Sequence, residues 1–268
     1  MESLFGVAPI VLFFLVCAAM LAGWIDAVSG GGGLIQLPAL LVGLPNAAPA
    51  TVLGTNKLSS IIGTSAAALT YRRAAVTDMR TALPMAAAAF VGAGCGAAMA
   101  THIPGSFFRP LALILLVIVG GWTLARPALG ETESLRWHGT SAHARHGIAA
   151  VIMGGAIGTY DGLFGPGTGT FLVFGLVSLL GYSFLNASAI AKLVNVSTNL
   201  AAILVFGFGG HIFWALGLAM GIANLTGAIV GARTAVRRGS GFVRIVFLVV
   251  VGLLLLRVGY DVVATLGH

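Results

Sequence analysis

The chain carries two lysines, Lys57 and Lys192, and each lies in a segment otherwise too apolar to hold a charge. Upstream of each, at the end of another apolar run, stands an aspartate, Asp26 or Asp161. A glycine-rich break follows both: Ser29-Gly30-Gly31-Gly32-Gly33 in one place and Gly165-Pro166-Gly167-Thr168-Gly169 in the other. A charge at mid-bilayer costs about 3 kcal/mol on insertion scales, so it faces a cavity or a partner. Helical spacing enlarges the group. Lys57, Ser60 and Thr64 fall at i, i+3 and i+7, on one face, and Lys192, Asn195 and Asn199 occupy the same three positions in a second stretch. Two ammonium groups suit an anion. The backbone N–H groups at Gly31, Gly32 and Gly33, and at Gly167, Thr168 and Gly169, open the next helices and favour an anion too, because helix N-termini carry partial positive charge. The expected chemistry is therefore non-covalent binding of a small monoanion or dianion. Asp26 and Asp161 have three candidate roles: ion pairs with Lys192 and Lys57 respectively, caps on the short helices, or proton carriers, since burial disfavours the charged carboxylate.

These residues recur at one offset. Sliding the sequence by 135 positions brings Asp26 onto Asp161, Lys57-Leu58 onto Lys192-Leu193, Gly92 onto Gly227, Gly96-Ala97 onto Gly231-Ala232, and Arg109 onto Arg244. Glycines align by chance in such a composition; the two lysines do not. Each copy reads as a long helix (about 6–28 and 146–164), a short apolar piece (34–44 and 170–180), and three fuller helices. The latter are 50–72, 79–101 and 107–126 in the first copy, and 187–208, 212–234 and 241–263 in the second. The chain thus divides into a first transmembrane repeat over 1–126, a polar linker over 127–145, and a second repeat over 146–268.

The solvent for these elements is lipid. Of 268 residues, 58% are hydrophobic and 8% charged, with a mean hydropathy of +1.03; a soluble domain carries far more charge. A bilayer core about 30 Å thick needs roughly 20 helical residues, and runs such as Leu4–Trp24 and Leu83–Ala100 supply them. The net charge of +7 suggests no nucleic acid, because the arginines cluster in short loops and form no basic stripe with aromatics. Arg72, Arg73 and Arg80 occupy one loop of the first copy, while Arg233, Arg237, Arg238 and Arg244 occupy a non-equivalent loop of the second. By the positive-inside rule the copies are oppositely inserted. The fold expected is an all-α multi-pass membrane protein of two inverted-topology repeats, five membrane segments each, with four long helices and one short or broken one. The linker is then cytoplasmic. Whether 34–44 and 170–180 fully cross is open.

Weaker features have plain readings. The N-terminus carries Glu2 and no Lys or Arg before the first helix, so that helix is expected to be permanent rather than a cleaved leader. Gly92–Gly96 and Gly227–Gly231 are GxxxG motifs for close helix packing. Cys17 and Cys95 are packing residues without CxxC partners. Trp24 and Tyr160 pack beside the aspartates. His138, His143 and His146 belong to the linker and its edge, with spacing unlike a zinc site. No cofactor or metal motif is present.

The stretches GWIDAVSGGGGLIQLPALL and GTNKLSS, and in the second copy GTYDGLFGPGTGTFL and AKLVNVSTN, resemble the TauE/SafE sulfite exporter family, also called 4-toluene sulfonate uptake permeases, and most of all its YfcA-like branch. The resemblance covers essentially the whole chain. It implies transport of small sulfur-containing anions, such as sulfite, thiosulfate or organosulfonates, across the bacterial inner membrane, in a direction it does not fix. It carries over to Asp26, Gly30 through Gly33, Asn56 and Lys57, and to Asp161, Gly165, Pro166, Gly167, Gly169, Lys192 and Asn195. Asn56 faces Ala191 in the other copy, which argues against a perfectly symmetric site.

Two other classes compete. An intramembrane enzyme lacks any HExxH, GxSxG, Walker A or paired-cysteine motif. An anion channel lined by lysines is the alternative, separable from a carrier by its ohmic current. The oligomeric state is open, a homodimer included.

Overall fold

A computed structural model describes residues 7–73, 77–102, 135 and 140–266. Every regular element among them is helical. In chain order these are α1 (Pro9–Ser29), α2 (Gly33–Gly43), α3 (Pro49–Arg72), α4 (Met79–Ala100), α5 (Thr140–Leu163), α6 (Thr168–Gly175), α7 (Phe184–Phe208) and α8 (Trp214–Leu266). The expected helix 107–126 and most of the 127–145 linker lie outside the described residues.

Local chemistry sets the boundaries. Pro9 and Pro49 open α1 and α3, where a missing N–H costs nothing. Asp78 caps α4 by accepting from the Arg80 N–H at 3.0 Å, and Ser183 caps α7 by accepting from the Asn186 N–H at 3.3 Å. Gly30 (φ 82°) ends α1 in the left-handed region that only glycine enters cheaply.

Two expectations need correction. Helix α5 begins at Thr140, inside the segment assigned to the linker, and takes His146 with it. The loop expected over Arg233–Arg244 is instead a break at Gly239 (φ 73°, ψ −171°) in otherwise helical backbone; one glycine suffices to turn the chain. The second short piece is found as expected, a short apolar helix over Thr168–Leu180 that widens into a π-helix over Leu176–Leu180.

Among the described residues, four helices are long and apolar enough to cross a membrane: α1, α4, α7 and the Trp214–Val250 portion of α8. Their outer faces expose Ile10, Phe13, Val91, Ile222 and Val249, side chains that lipid tolerates and water does not. Helix α3 is long enough but too polar, because Asn56, Lys57, Ser59 and Thr64 are turned inward and buried. Helix α2 has 11 residues, and at about 1.5 Å each it covers roughly half the hydrocarbon core.

The halves pack across one another. Helix α4 lies along α5, and α1 lies along α8. At both seams glycine allows backbones to touch. A Cβ on Gly96 would sit 2.8 Å from the Leu163 nitrogen, and one on Gly231 would sit 2.5 Å from the Trp24 carbonyl oxygen. The GxxxG motifs are therefore contact points between first-half and second-half helices. Cys17 and Cys95, read from sequence as packing residues, are exposed on outer faces instead.

Candidate functional site

Both aspartates sit in the last turn of a helix that stops at glycine. After Asp26, the Gly30 N–H returns to the Asp26 carbonyl at 2.9 Å and α2 starts three residues later. After Asp161, Gly165 (φ 87°) and Gly167 (φ 80°) carry the chain through two left-handed turns into α6. The Tyr160 hydroxyl clamps this loop by donating to the Pro166 carbonyl at 2.8 Å. Trp24 is half-buried against the core, as expected of a packing residue.

The two breaks meet in the middle of the protein. A Cβ on Gly169 would lie 2.6 Å from the Gly30 Cα, and the Thr170 hydroxyl donates to the Ser29 carbonyl at 3.2 Å. Any side chain at Gly30 or Gly169 would push the loops apart. Around this crossing the four charges pair between halves: Lys57 Nζ lies 2.6 Å from Asp161 Oδ1, and Lys192 Nζ lies 2.9 Å from Asp26 Oδ2.

A narrow polar cavity of about 30 Å³, open to solvent on part of its boundary, lies against these pairs. Asp26, Gly30, Gly33, Asn56, Lys57, Ser60 and Thr64 line it from the first half, and Asp161, Gly165, Thr168, Gly169, Asn195 and Asn199 from the second. Most of the residues singled out from the sequence therefore converge on one space.

Four of them do not line it. Lys192 is fully buried, and its ammonium donates to both the carboxylate and the backbone carbonyl of Asp26. Gly31 and Gly32 face packing partners: a Cβ there would meet the Val250 side chain at 2.7 Å and the Asp26 Cβ at 2.5 Å. Gly167 serves as the left-handed cap of α6, beside Leu34 and Phe171.

Buried polar atoms without a partner mark the wall. Asn56 and Asn195 are 4% and 6% exposed, and their Oδ1 atoms have no hydrogen-bond partner among the described residues. Buried amides are almost always satisfied. An unsatisfied pair beside a cavity suits a site that is completed by what enters it.

Sequence reasoning missed two further features. Asn224 in α8 donates from Nδ2 to Gln36 Oε1 at 2.8 Å, and Gln36 Nε2 reaches the Asn56 carbonyl at a long 3.5 Å. Both side chains are buried. Their 135-offset counterparts are Phe171 and Ala89, so a search for paired polar residues passed over them; a lone amide in an apolar helix was the available signal. The other feature joins Asp78, Thr81, His146 and Tyr182. Tyr182 donates to Asp78 at 2.6 Å with its oxygen 2.9 Å from that of Thr81, while His146 Nε2 lies 3.0 Å from Thr81 and 3.1 Å from Tyr182. Burial pushes Asp78 upward, but hydrogen bonds from Tyr182, Thr81 and the Arg80 N–H outweigh it and hold the carboxyl below its usual range. His146, read from sequence as polar loop, ties α5 to α4. Among the described residues, no three His, Cys, Asp or Glu side chains gather into a metal-holding group.

Apolar helices around a charge-paired cavity define a multi-pass membrane protein with a polar centre, and among the described residues no nucleophile with its base stands in that centre. Residues 15–258 match the sulfite exporter TauE/SafE family, and the chain belongs to that family. It is similar to the probable membrane transporter protein ORF9 of Sinorhizobium sp, 37% identical over 242 residues, covering 89% of this chain and 88% of that one. It is also similar to the probable membrane transporter protein YfcA of Escherichia coli K12, 35% identical over 261 residues, covering 97% and 94%. A probable membrane transporter protein of Haemophilus influenzae is 32% identical over 251 residues, covering 93% and 95%. No solved structure matches the chain. This is a membrane transporter of the TauE/SafE type and not an enzyme.

Proposed function

We propose that this protein is a secondary transporter that moves a small sulfur-containing anion, such as sulfite, thiosulfate or an organosulfonate, across the bacterial inner membrane. The observation that carries the reading is Lys57, a buried cation that lines a cavity walled by both halves. Discontinuous helices meeting near the bilayer midplane are how many secondary transporters build their sites. The Ser60 hydroxyl on the same wall can donate to an oxyanion oxygen, while the orphaned Oδ1 atoms of Asn56 and Asn195 are acceptors that suit a water or a protonated group entering with the anion. Asp26 and Asp161 are the groups for proton coupling. The halves are two inverted-topology repeats of five membrane segments, a reading supported by the arginine distribution and by the reciprocal packing of α1 on α8 and α4 on α5.

Thermal-shift measurement on the purified protein with sulfite, thiosulfate, sulfoacetate, taurine and sulfate tests the substrate class. A true ligand at a hundred times its Kd stabilises by about 2.7 kcal/mol; silence across the whole panel sinks the class. Saturable uptake with counterflow marks a carrier, and ohmic current marks the channel alternative. Topology is tested by labelling single cysteines placed at Arg80 and Arg237: the inverted arrangement puts both on the cytoplasmic side.

A further inference from the structure

The cavity region contains two lysines and two aspartates, so its charges already cancel. An anion that enters gains no net attraction unless one carboxylate first gives up its charge. Resting on the transport reading above, we propose that the two ion pairs divide the work: Lys192–Asp26 is a permanent tie, and Lys57–Asp161 is the pair that opens. Asp161 takes a proton from the loading side as Lys57 takes the anion.

Three observations separate the pairs. Lys192 is fully buried, does not line the cavity, and is held by two oxygens of Asp26, one of them backbone. Following the backbone carbonyl would require moving the end of α1 itself. Lys57 lines the cavity, and its ammonium has the Asp161 carboxylate as its ionic partner. The second difference lies in the aspartates. Asp26 Oδ2 accepts from Lys192 and also from Thr64 at 3.3 Å, so its charge stays satisfied whatever Lys57 does. The 17% exposure of its side chain is consistent with its place in the cavity wall. Third, the loop that follows Asp161 makes place for the Lys57 ammonium: Gly165 lacks a Cβ where one would stand 2.9 Å from Lys57 Nζ.

The charge balance follows directly. In the empty state Lys57 is cationic and Asp161 anionic. One proton bonds to a carboxylate oxygen of Asp161, the ion pair separates, and one negative charge of the anion replaces the carboxylate beside Lys57. Release on the far side reverses both events, so one proton accompanies each negative charge that Lys57 accepts. The groups facing this exchange are Lys57 on α3, Asp26 on α1, Lys192 on α7, and the Tyr160 hydroxyl, which is occupied by Pro166.

The test uses full-length protein in liposomes with radiolabelled sulfite or thiosulfate, and the same protein in detergent for melting. Wild-type uptake is expected to rise when the loading side is made acid. Asp161→Asn is expected to lose that stimulation, because no carboxylate is left to carry the proton, whereas Asp161→Glu is expected to keep it. Asp26→Asn is expected to lower the melting temperature further than Asp161→Asn, because both ammonium groups are buried but only Lys57 has a cavity beside it to turn into. Stimulation by acid that survives in Asp161→Asn, or is absent from wild type, overturns the proposal. So does an equal loss of melting temperature in the two variants. If wild type carries neither anion, the sulfur-anion reading falls, and the order of melting temperatures still decides between a tie and an opening pair.

Discussion

Lys57 and Lys192 stand 135 positions apart, at matched points of the sequence, and end in different surroundings. Each meets the aspartate of the opposite half at hydrogen-bond distance. One has a cavity beside it, and the other has none. The neighbours differ as well: helix α3 places Asn56 next to its lysine where α7 has Ala191, and Lys192 gains the Asp26 carbonyl as a second acceptor. Both lysines are buried, so what separates them is the cavity beside one and the extra acceptor on the other.

Breaking the comparison at its buried end gives the largest effect. Lys192→Met leaves the Asp26 carboxylate without its cation, and removing one partner of a buried pair costs about 3–5 kcal/mol. Denaturation of the purified variant checks this, and adding Asp26→Asn to it recovers most of the loss. At the accessible end, Lys57→Gln is expected to cut anion uptake roughly tenfold or more, equivalent to about 1.4 kcal/mol or above, with a smaller loss of stability than Lys192→Met. An intact uptake rate would erase the distinction between the two lysines. Gly30→Ala sharpens the comparison of the breaks. A side chain there combines an unfavourable φ with a clash against Gly169 and is expected to cost about 1–3 kcal/mol; Gly33→Ala, which meets Pro166 only at an ordinary 3.5 Å, costs less. Smaller again is the amide link found in one half only. A double-mutant cycle on Gln36→Leu and Asn224→Leu is expected to return a coupling of about 1 kcal/mol.

The smallest effect belongs to Asp78. Its carboxyl is held below the usual carboxylate range in the folded protein, so it contributes stability above the unfolded value of about 3.9, and that contribution disappears as pH falls through the lower folded value. Tyr182→Phe removes the shortest of its hydrogen bonds, 2.6 Å. The variant is expected to lose part of its stability at neutral pH and to show a shallower acid decline, read from melting curves across pH.

Much of this centre was legible in the residues themselves. Two lysines, two aspartates and two glycine breaks at one offset pointed to the region of the cavity, because charges in lipid must be gathered somewhere, although Lys192, Gly31, Gly32 and Gly167 stand behind its wall. What escaped was whatever the offset did not repeat. Gln36 and Asn224 have apolar counterparts, so symmetry hid them. The seclusion of Lys192 depends on side-chain packing and on a backbone carbonyl, neither of which has a sequence signal. Helix ends were legible where proline or a cap marked them, at Pro9, Pro49 and Asp78. They were misplaced where arginines suggested a loop and a single left-handed Gly239 was enough.

The crossed pairing also bears on how the chain is made. Asp26 and Lys57 leave the ribosome well before Asp161 and Lys192 exist. For that interval the newly inserted first half holds an acid and a base whose eventual counter-ions have not been synthesised. A truncated product would keep both charges stranded in lipid, and such a fragment is a natural target for membrane proteases.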